Sequence, residues 1–171
     1  PPQDEARVYV PPPKSDEEIG RTFRPSGLVE GGYQYQQIHG VPITGGRLRL
    51  GVGGQNDSQA HYAVLSILYG STEESLRSYD VRLGWNGDFL RKSIFRLGGQ
   101  VELGYLWIKR TTADKRMWAL GIGGGIHASA DVLQFGARDD HALYVEGRFD
   151  VHAHFGPAFI WAPSLLVGFR Y

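Results

Sequence analysis

The chain has no cysteine and one methionine among its 171 residues. Without thiols there is no disulfide, thiolate metal site, cysteine nucleophile or lipid-bearing N-terminal cysteine. No apolar run is long enough for a transmembrane helix, which needs about 18 or more such residues. Charge of one sign is missing too: 18 basic residues balance 18 acidic ones. That leaves no polyanion-binding footprint, so nucleic acid is not an expected partner. Lysine is scarce, 4 against 14 arginines. Arginine is the better partner for confined ion pairs, because its planar fork binds carboxylates bidentately. No phosphate loop, dinucleotide fingerprint or zinc-ligand spacing occurs, so no cofactor and no metal are expected.

Glycine is abundant, 24 residues or twice the usual roughly 7%, with no collagen period to account for it. Residues 1–26 form a distinct stretch. They hold Pro1, Pro2, Pro11, Pro12, Pro13 and Pro25 beside Asp4, Glu5, Asp16, Glu17 and Glu18. This composition predicts an extended, disordered tail, with Val8–Val10 suited to strand addition onto an envelope partner. The chain starts at Pro1, and a leader removed by processing is expected.

From Gly27 onward, apolar and polar residues alternate in runs separated by turn clusters, the signature of strands. Eight runs are predicted, at about 27–37, 46–54, 60–70, 77–86, 94–108, 116–128, 142–155 and 159–171. The last is the most informative. One face reads Phe159, Trp161, Pro163, Leu165, Val167, Phe169 and Tyr171, without a charge, up to the final residue. From Trp161 to Tyr171 a strand tilted by about 40° rises roughly 25 Å, the apolar height of a membrane-spanning barrel. Most runs reach the 9 or so residues that a tilted strand needs to cross a bilayer. The third run is apolar on both faces, so its facing stays open, and residues 129–141 read as a long connection with Val132–Ala137 as an alternative extension.

Which face is inside follows from volume. Glycine gathers on the polar face (Gly51, Gly84, Gly104, Gly121, Gly123), whereas the apolar face carries Tyr33, Trp85, Phe95, Trp107, Trp118 and Trp161. An eight-stranded barrel has little interior room, so the small, polar face is predicted to line the lumen. Its charges nearly balance: Arg47, Arg49, Arg82, Arg96, Arg148 and Arg170 against Glu30, Asp80, Glu102, Glu146 and Asp150. A paired interior network is expected, since confined charges need partners. Trp85, Phe95, Trp107, Trp118, Trp161 and Tyr171 are the candidate interface aromatics.

The closing pattern Leu165-x-Val167-x-Phe169-x-Tyr171, with the alternation before it, resembles the small eight-stranded outer-membrane barrel proteins of the OmpA/OmpX type. The resemblance spans 27–171 and implies an all-β, antiparallel, up-and-down transmembrane barrel in the outer membrane of a Gram-negative bacterium, with both termini periplasmic. Leu165, Val167, Phe169 and Tyr171 resemble the signal read by the barrel assembly machinery during insertion. The implied surroundings are outer-membrane lipid and lipopolysaccharide, and the implied role is structural or interactive, through loops or tail.

Two constellations offer chemistry. Asp150, His152 and His154 share the inward face, and Ser164 lies on the next strand; an acid, imidazoles and a hydroxyl are the parts of a hydrolytic site. His127-x-Ser129 resembles the motif of lipid A deacylase barrels, though Ala130 stands where those enzymes have Asn. The readings carried forward are a plugged barrel, a lipid-modifying enzyme, a small-solute channel and a soluble lipocalin-like binder.

Overall fold

Alternating sequences become strands because successive side chains point to opposite faces, and each run here buries one parity. The computed structural model describes residues 22–38, 40–72, 76–111, 115–136, 141–155 and 159–171. Eight strands follow in order: β1 Arg24–Ile38, β2 Val41–Gln55, β3 Ala60–Ser71, β4 Leu76–Lys92, β5 Phe95–Arg110, β6 Lys115–Phe135, β7 His141–His154 and β8 Phe159–Arg170. Each pairs antiparallel with its neighbours, and β8 returns to β1, closing the sheet. The tail segment with Val8–Val10 lies outside the described residues.

Closure is staggered. Following paired residues from Leu28 through Gly51, Val64, Gly84, Glu102, Gly123, His152 and Ile160 returns to β1 at Ile38. The line of hydrogen bonds therefore climbs, and the strands tilt by the ~40° typical of a closed barrel.

Several boundaries differ from the sequence reading. β1 begins at Arg24, because Arg24, Pro25 and Ser26 pair with Gln55, Gly54 and Gly53. The span 39–46, read as a loop, is largely β2, which starts at Val41. The long connection at 129–141 is mostly strand: β6 runs to Phe135, past a bulge between Asp131 and Leu133. At that bulge Val132 and Leu133 both point outward, which breaks the two-residue period on which the boundary rested. The facing of β3 is set by its one central polar side chain. Ser66 is fully buried and donates to Glu102 Oε1 at 3.1 Å, so Tyr62, Val64 and Leu68 share the lumen while Leu65, Ile67 and Tyr69 face out.

Three prolines sit within strands although none can donate to a ladder. Each lies where one flank is unpaired. Pro25 precedes the first β1–β8 pair at Leu28, and Pro42 precedes the first β2–β3 pair at Thr44. Pro163 falls in the gap between the Gln34–Ser164 and Gln37–Trp161 pairs.

The outer wall is apolar: Leu83, Leu103 and Ile126 are 65%, 63% and 66% exposed. Aromatic side chains collect toward its two ends. Tyr69, Tyr79 and Trp107 form a chain with centroids 5.1 Å apart, and Tyr105 stacks on Trp118 and Tyr35 tilts against Trp161 at the same end. At the end holding the termini, His61 stacks between Phe23 and Trp85, and Phe169 stacks between Phe135 and Tyr171; Phe95 also lies there, 62% exposed. The candidate interface aromatics thus divide between both ends. An apolar wall bounded by two aromatic belts is the surface a bilayer requires.

If that wall faces hydrocarbon, Leu103→Arg in the middle of β5 is expected to cost about 2–4 kcal/mol. On a water-exposed wall the same change would stay within about 0.5 kcal/mol. Reversible urea unfolding in phospholipid vesicles distinguishes the two.

Candidate functional site: the filled lumen

The inward parity of each strand converges on a narrow axis, and the registers order its residues into tiers. Farthest from the termini is an apolar lid of Ile38, Ile43, Leu106, Ile108, Ile160 and Ala162. Beneath it, Arg82 pairs with Asp80 (2.6 Å) and donates to His152 Nε2 at 2.7 Å. His152 also lies 3.6 Å from Glu102. His154 is buried beside His152, ring centroids 6.2 Å apart, and neither of its ring nitrogens meets a hydrogen-bond partner among the described residues.

The central tier is built on Arg47, which reaches Asp150, both Glu102 oxygens (3.4 Å) and Ser164 Oγ (3.4 Å). Below it, Arg49 contacts Glu30, Glu146 (3.6 Å), Asn86 (3.1 Å), Gln100 (3.0 Å) and Ser66 (3.3 Å). Arg148 pairs with Glu146 at 2.7 Å and donates to Asn86 and Gln100. Gln100 Nε2 donates to Asp150 at 2.6 Å, tying the two tiers together. The Tyr144 hydroxyl donates to Glu30 at 2.6 Å.

Nearest the termini, Asp131 accepts from Arg96 (3.1 Å) and Arg170 (2.9 Å). Asp88 meets His127 at 2.9 Å and Arg96 at 3.6 Å, and the Arg170 guanidinium stands 5.0 Å over the Tyr144 ring. An internal void between these tiers, lined in part by Glu30, Asn86, Tyr144 and Arg170, measures about 10 Å³, room for roughly one water.

All eleven residues proposed for the interior network are buried in the lumen. The sequence reading missed Asp88 and Asp131, which bring the buried carboxylates among the described residues to seven (Glu30, Asp80, Asp88, Glu102, Asp131, Glu146, Asp150) against six buried arginines. Both fell in stretches read as turns. Parity was the available signal, since Asp88 continues Asp80-Arg82-Asn86 and Asp131 continues His127-Ser129. Gln100 and Asn86, the amide hubs, carry no charge and gave less warning.

The hydrolytic candidates do not form a relay. Ser164 pairs across the sheet with Arg148, His152 with Ile160, and the Ser164 hydroxyl meets Arg47. Asp150 is held by Arg47 and Gln100 rather than by an imidazole. His127 is engaged with Asp88, and Ser129 lies opposite Arg96 and Glu146 in register. Each candidate is absorbed into the packing of the lumen.

Buried ion pairs repay their desolvation only with good geometry and further hydrogen bonds. Glycine supplies the space. A Cβ on Gly123 would stand 2.4 Å from the His152 ring and from the Val151 carbonyl, and one on Gly121 would stand 2.6 Å from the His154 ring.

By structure, the chain is similar to Neisserial surface protein A (TM-score 0.61, 14% identity, 85% of this chain and 95% of that one). It is similar to the N-terminal β-barrel domain of Pseudomonas aeruginosa OprF (0.59, 15%, 88% and 100%). It is also similar to Ail, the attachment invasion locus protein of Yersinia pestis (0.58, 13%, 85% and 98%). No family model matches the chain, and no curated protein matches it by sequence. The fold is that of the small eight-stranded outer-membrane barrels.

Removing one member of the network strands its partners. Arg82→Met is expected to cost about 3–5 kcal/mol in vesicle-based unfolding. Gly123→Ala is expected to cost about 1–3 kcal/mol through overpacking. Gly147→Ala, whose Cβ meets nothing within 4 Å on the outer wall, should leave the unfolding midpoint unchanged.

Proposed function

We propose that this protein is an integral outer-membrane barrel with a sealed interior, serving a structural or interaction role in the Gram-negative envelope, with both termini periplasmic. The observation that carries this reading is the inversion. Arginines and carboxylates fill the axis while large aliphatic and aromatic side chains are exposed outside. A lipocalin-like binder requires the opposite distribution, because its apolar face lines the cavity. A solute channel requires a continuous wet path, whereas here an apolar lid stands above tiers of paired charge.

The connections at the end opposite the termini are short. Strands meet across 39–40, 72–75, 111–114 and 155–158. Long outer loops therefore contribute little contact surface, which leaves the strand ends, the outer wall and the tail. Leu165, Val167, Phe169 and Tyr171 serve as the insertion signal in this reading. Gly27 and Tyr171 exchange two backbone hydrogen bonds, 2.8 and 3.0 Å, that fasten the last residue to β1. The same residues would then be read by the assembly machinery and close the barrel.

The test combines two measurements on protein extracted from membranes. Unboiled and boiled samples should migrate differently in dodecyl sulfate gels, as a closed barrel resists unfolding. In planar bilayers the protein should give no discrete conductance steps. Reproducible unitary current would overturn the sealed interior, and a soluble pool without a mobility shift would overturn the membrane reading itself.

A further inference from the structure

One buried contact in the lumen sets a guanidinium against an imidazole. Arg82 on β4 reaches across the axis to His152 Nε2 on β7 at 2.7 Å. An arginine can only donate, so the roles are fixed. Nε2 accepts, the ring is neutral and its proton sits on Nδ1. Nδ1 meets no acceptor among the described residues. The neutral ring is therefore held from one side only.

A second group stands beside the same nitrogen. Glu102 on β5 places Oε2 3.6 Å from His152 Nε2. Its Oε1 accepts from Ser66 at 3.1 Å, whereas Oε2 takes a long bond of 3.4 Å from Arg47. A carboxylate and a bare Nε2 are both acceptors and cannot bond to each other. Once Nε2 carries a proton, it must leave Arg82 and can donate to Glu102. One nitrogen thus has two partners that exclude each other.

The charges around the ring admit that proton. The titratable and charged groups there are Asp80 and Arg82 from β4, Glu102 from β5, Arg47 from β2, and Asp150 and His154 from β7 itself. β6 and β8 set Gly123 and Ile160 against it. Among the described residues, three carboxylates here share two arginines. In the lower tiers Glu30 and Glu146 match Arg49 and Arg148, and Asp88 and Asp131 match Arg96 and Arg170. A proton on His152 supplies the odd positive charge.

We propose that His152 is a proton-operated latch. Neutral, it accepts from Arg82 and braces β4 to β7. When a proton from solvent binds the Nε2 lone pair, the new N–H turns to Glu102, Arg82 is left to Asp80, and the brace opens. Loss of the proton closes it again. Histidine is the side chain whose charge ordinarily changes between about pH 5 and pH 8. The latch lies beneath the apolar lid, so acid loosens first the end of the barrel away from the termini. It depends on the fold alone and not on the membrane reading.

The test is NMR on the isotope-labelled full chain in detergent micelles, titrated from about pH 8 to about pH 5. At the upper end His152 should show a bare Nε2 and a protonated Nδ1. In acid both nitrogens should carry protons. The Arg82 guanidinium hydrogens should then exchange with water about tenfold faster relative to their intrinsic rate, along the same titration curve. His152→Gln offers Arg82 an amide oxygen that takes no proton and should hold that ratio flat. His154→Gln should leave the step in place. A proton on Nε2 at the upper end, a His152 that stays neutral throughout, or an Arg82 change that runs apart from the His152 curve overturns the latch in the unaltered chain, whether or not H152Q folds. So does a step that survives in H152Q or is lost in a folded H154Q. Each of these results, in protein that keeps its heat-dependent gel mobility, leaves the barrel reading standing. Loss of that mobility shift in the unaltered chain overturns the barrel reading instead.

Discussion

Eight strands enclose barely more volume than their own inward side chains occupy, and most of this structure answers to that limit. Each large inward group needs a small one facing it. His152 and His154 therefore lie opposite Gly123 and Gly121, and Gly104 lies beside Asp80 and Arg82. Each inward charge needs a counter-charge within reach, because a confined charge is costly unless it is paired. The short carboxylates and long arginines distribute the work: the acids stay near their strands and the arginines cross the axis. Arg47 on β2 meets Asp150 on β7, and Arg82 on β4 meets His152 on β7.

The same limit explains how much could be read in advance. Fold, strand number and inversion were legible because they depend on parity and side-chain size, both written along the chain. The eleven proposed lumen residues stood at inward positions for that reason. What parity cannot supply is register, which decides partners. Ser164 and His152 share the lumen, but the β7–β8 register sets Ser164 against Arg148. Bulges were the second blind spot. Near Asp88 and Asp131 an extra residue resets the alternation, so the acids that anchor Arg96 and Arg170 were read as parts of turns. The uncertain facing of β3 was settled by one hydroxyl, Ser66, whose weight in an apolar strand shows only once Glu102 and Arg49 are placed around it.

Among the described residues, the turn at 56–59 is tight and locally built. At 56–59 the Asn56 side chain accepts from the backbones of Ser58 and Gln59, at 2.9 and 2.8 Å, and Arg91 donates to the Asn56 carbonyl. Strand length replaces loop length, most plainly in β6, which continues to Phe135. A barrel built this way meets its surroundings mainly along its sides, and the chemistry of that contact is set by which residues fall at which depth.

The arginines that span the axis have a mechanical consequence. A hollow tube can flatten, twist or dilate when its surroundings press on it. Cross-braces between β2 and β7, and between β4 and β7, work against those soft modes. Membranes vary in thickness, and a mismatch must be absorbed by whichever component yields more easily. Were this wall set in a bilayer, the braced interior would leave the yielding to the lipid, and the barrel would set the thickness around itself.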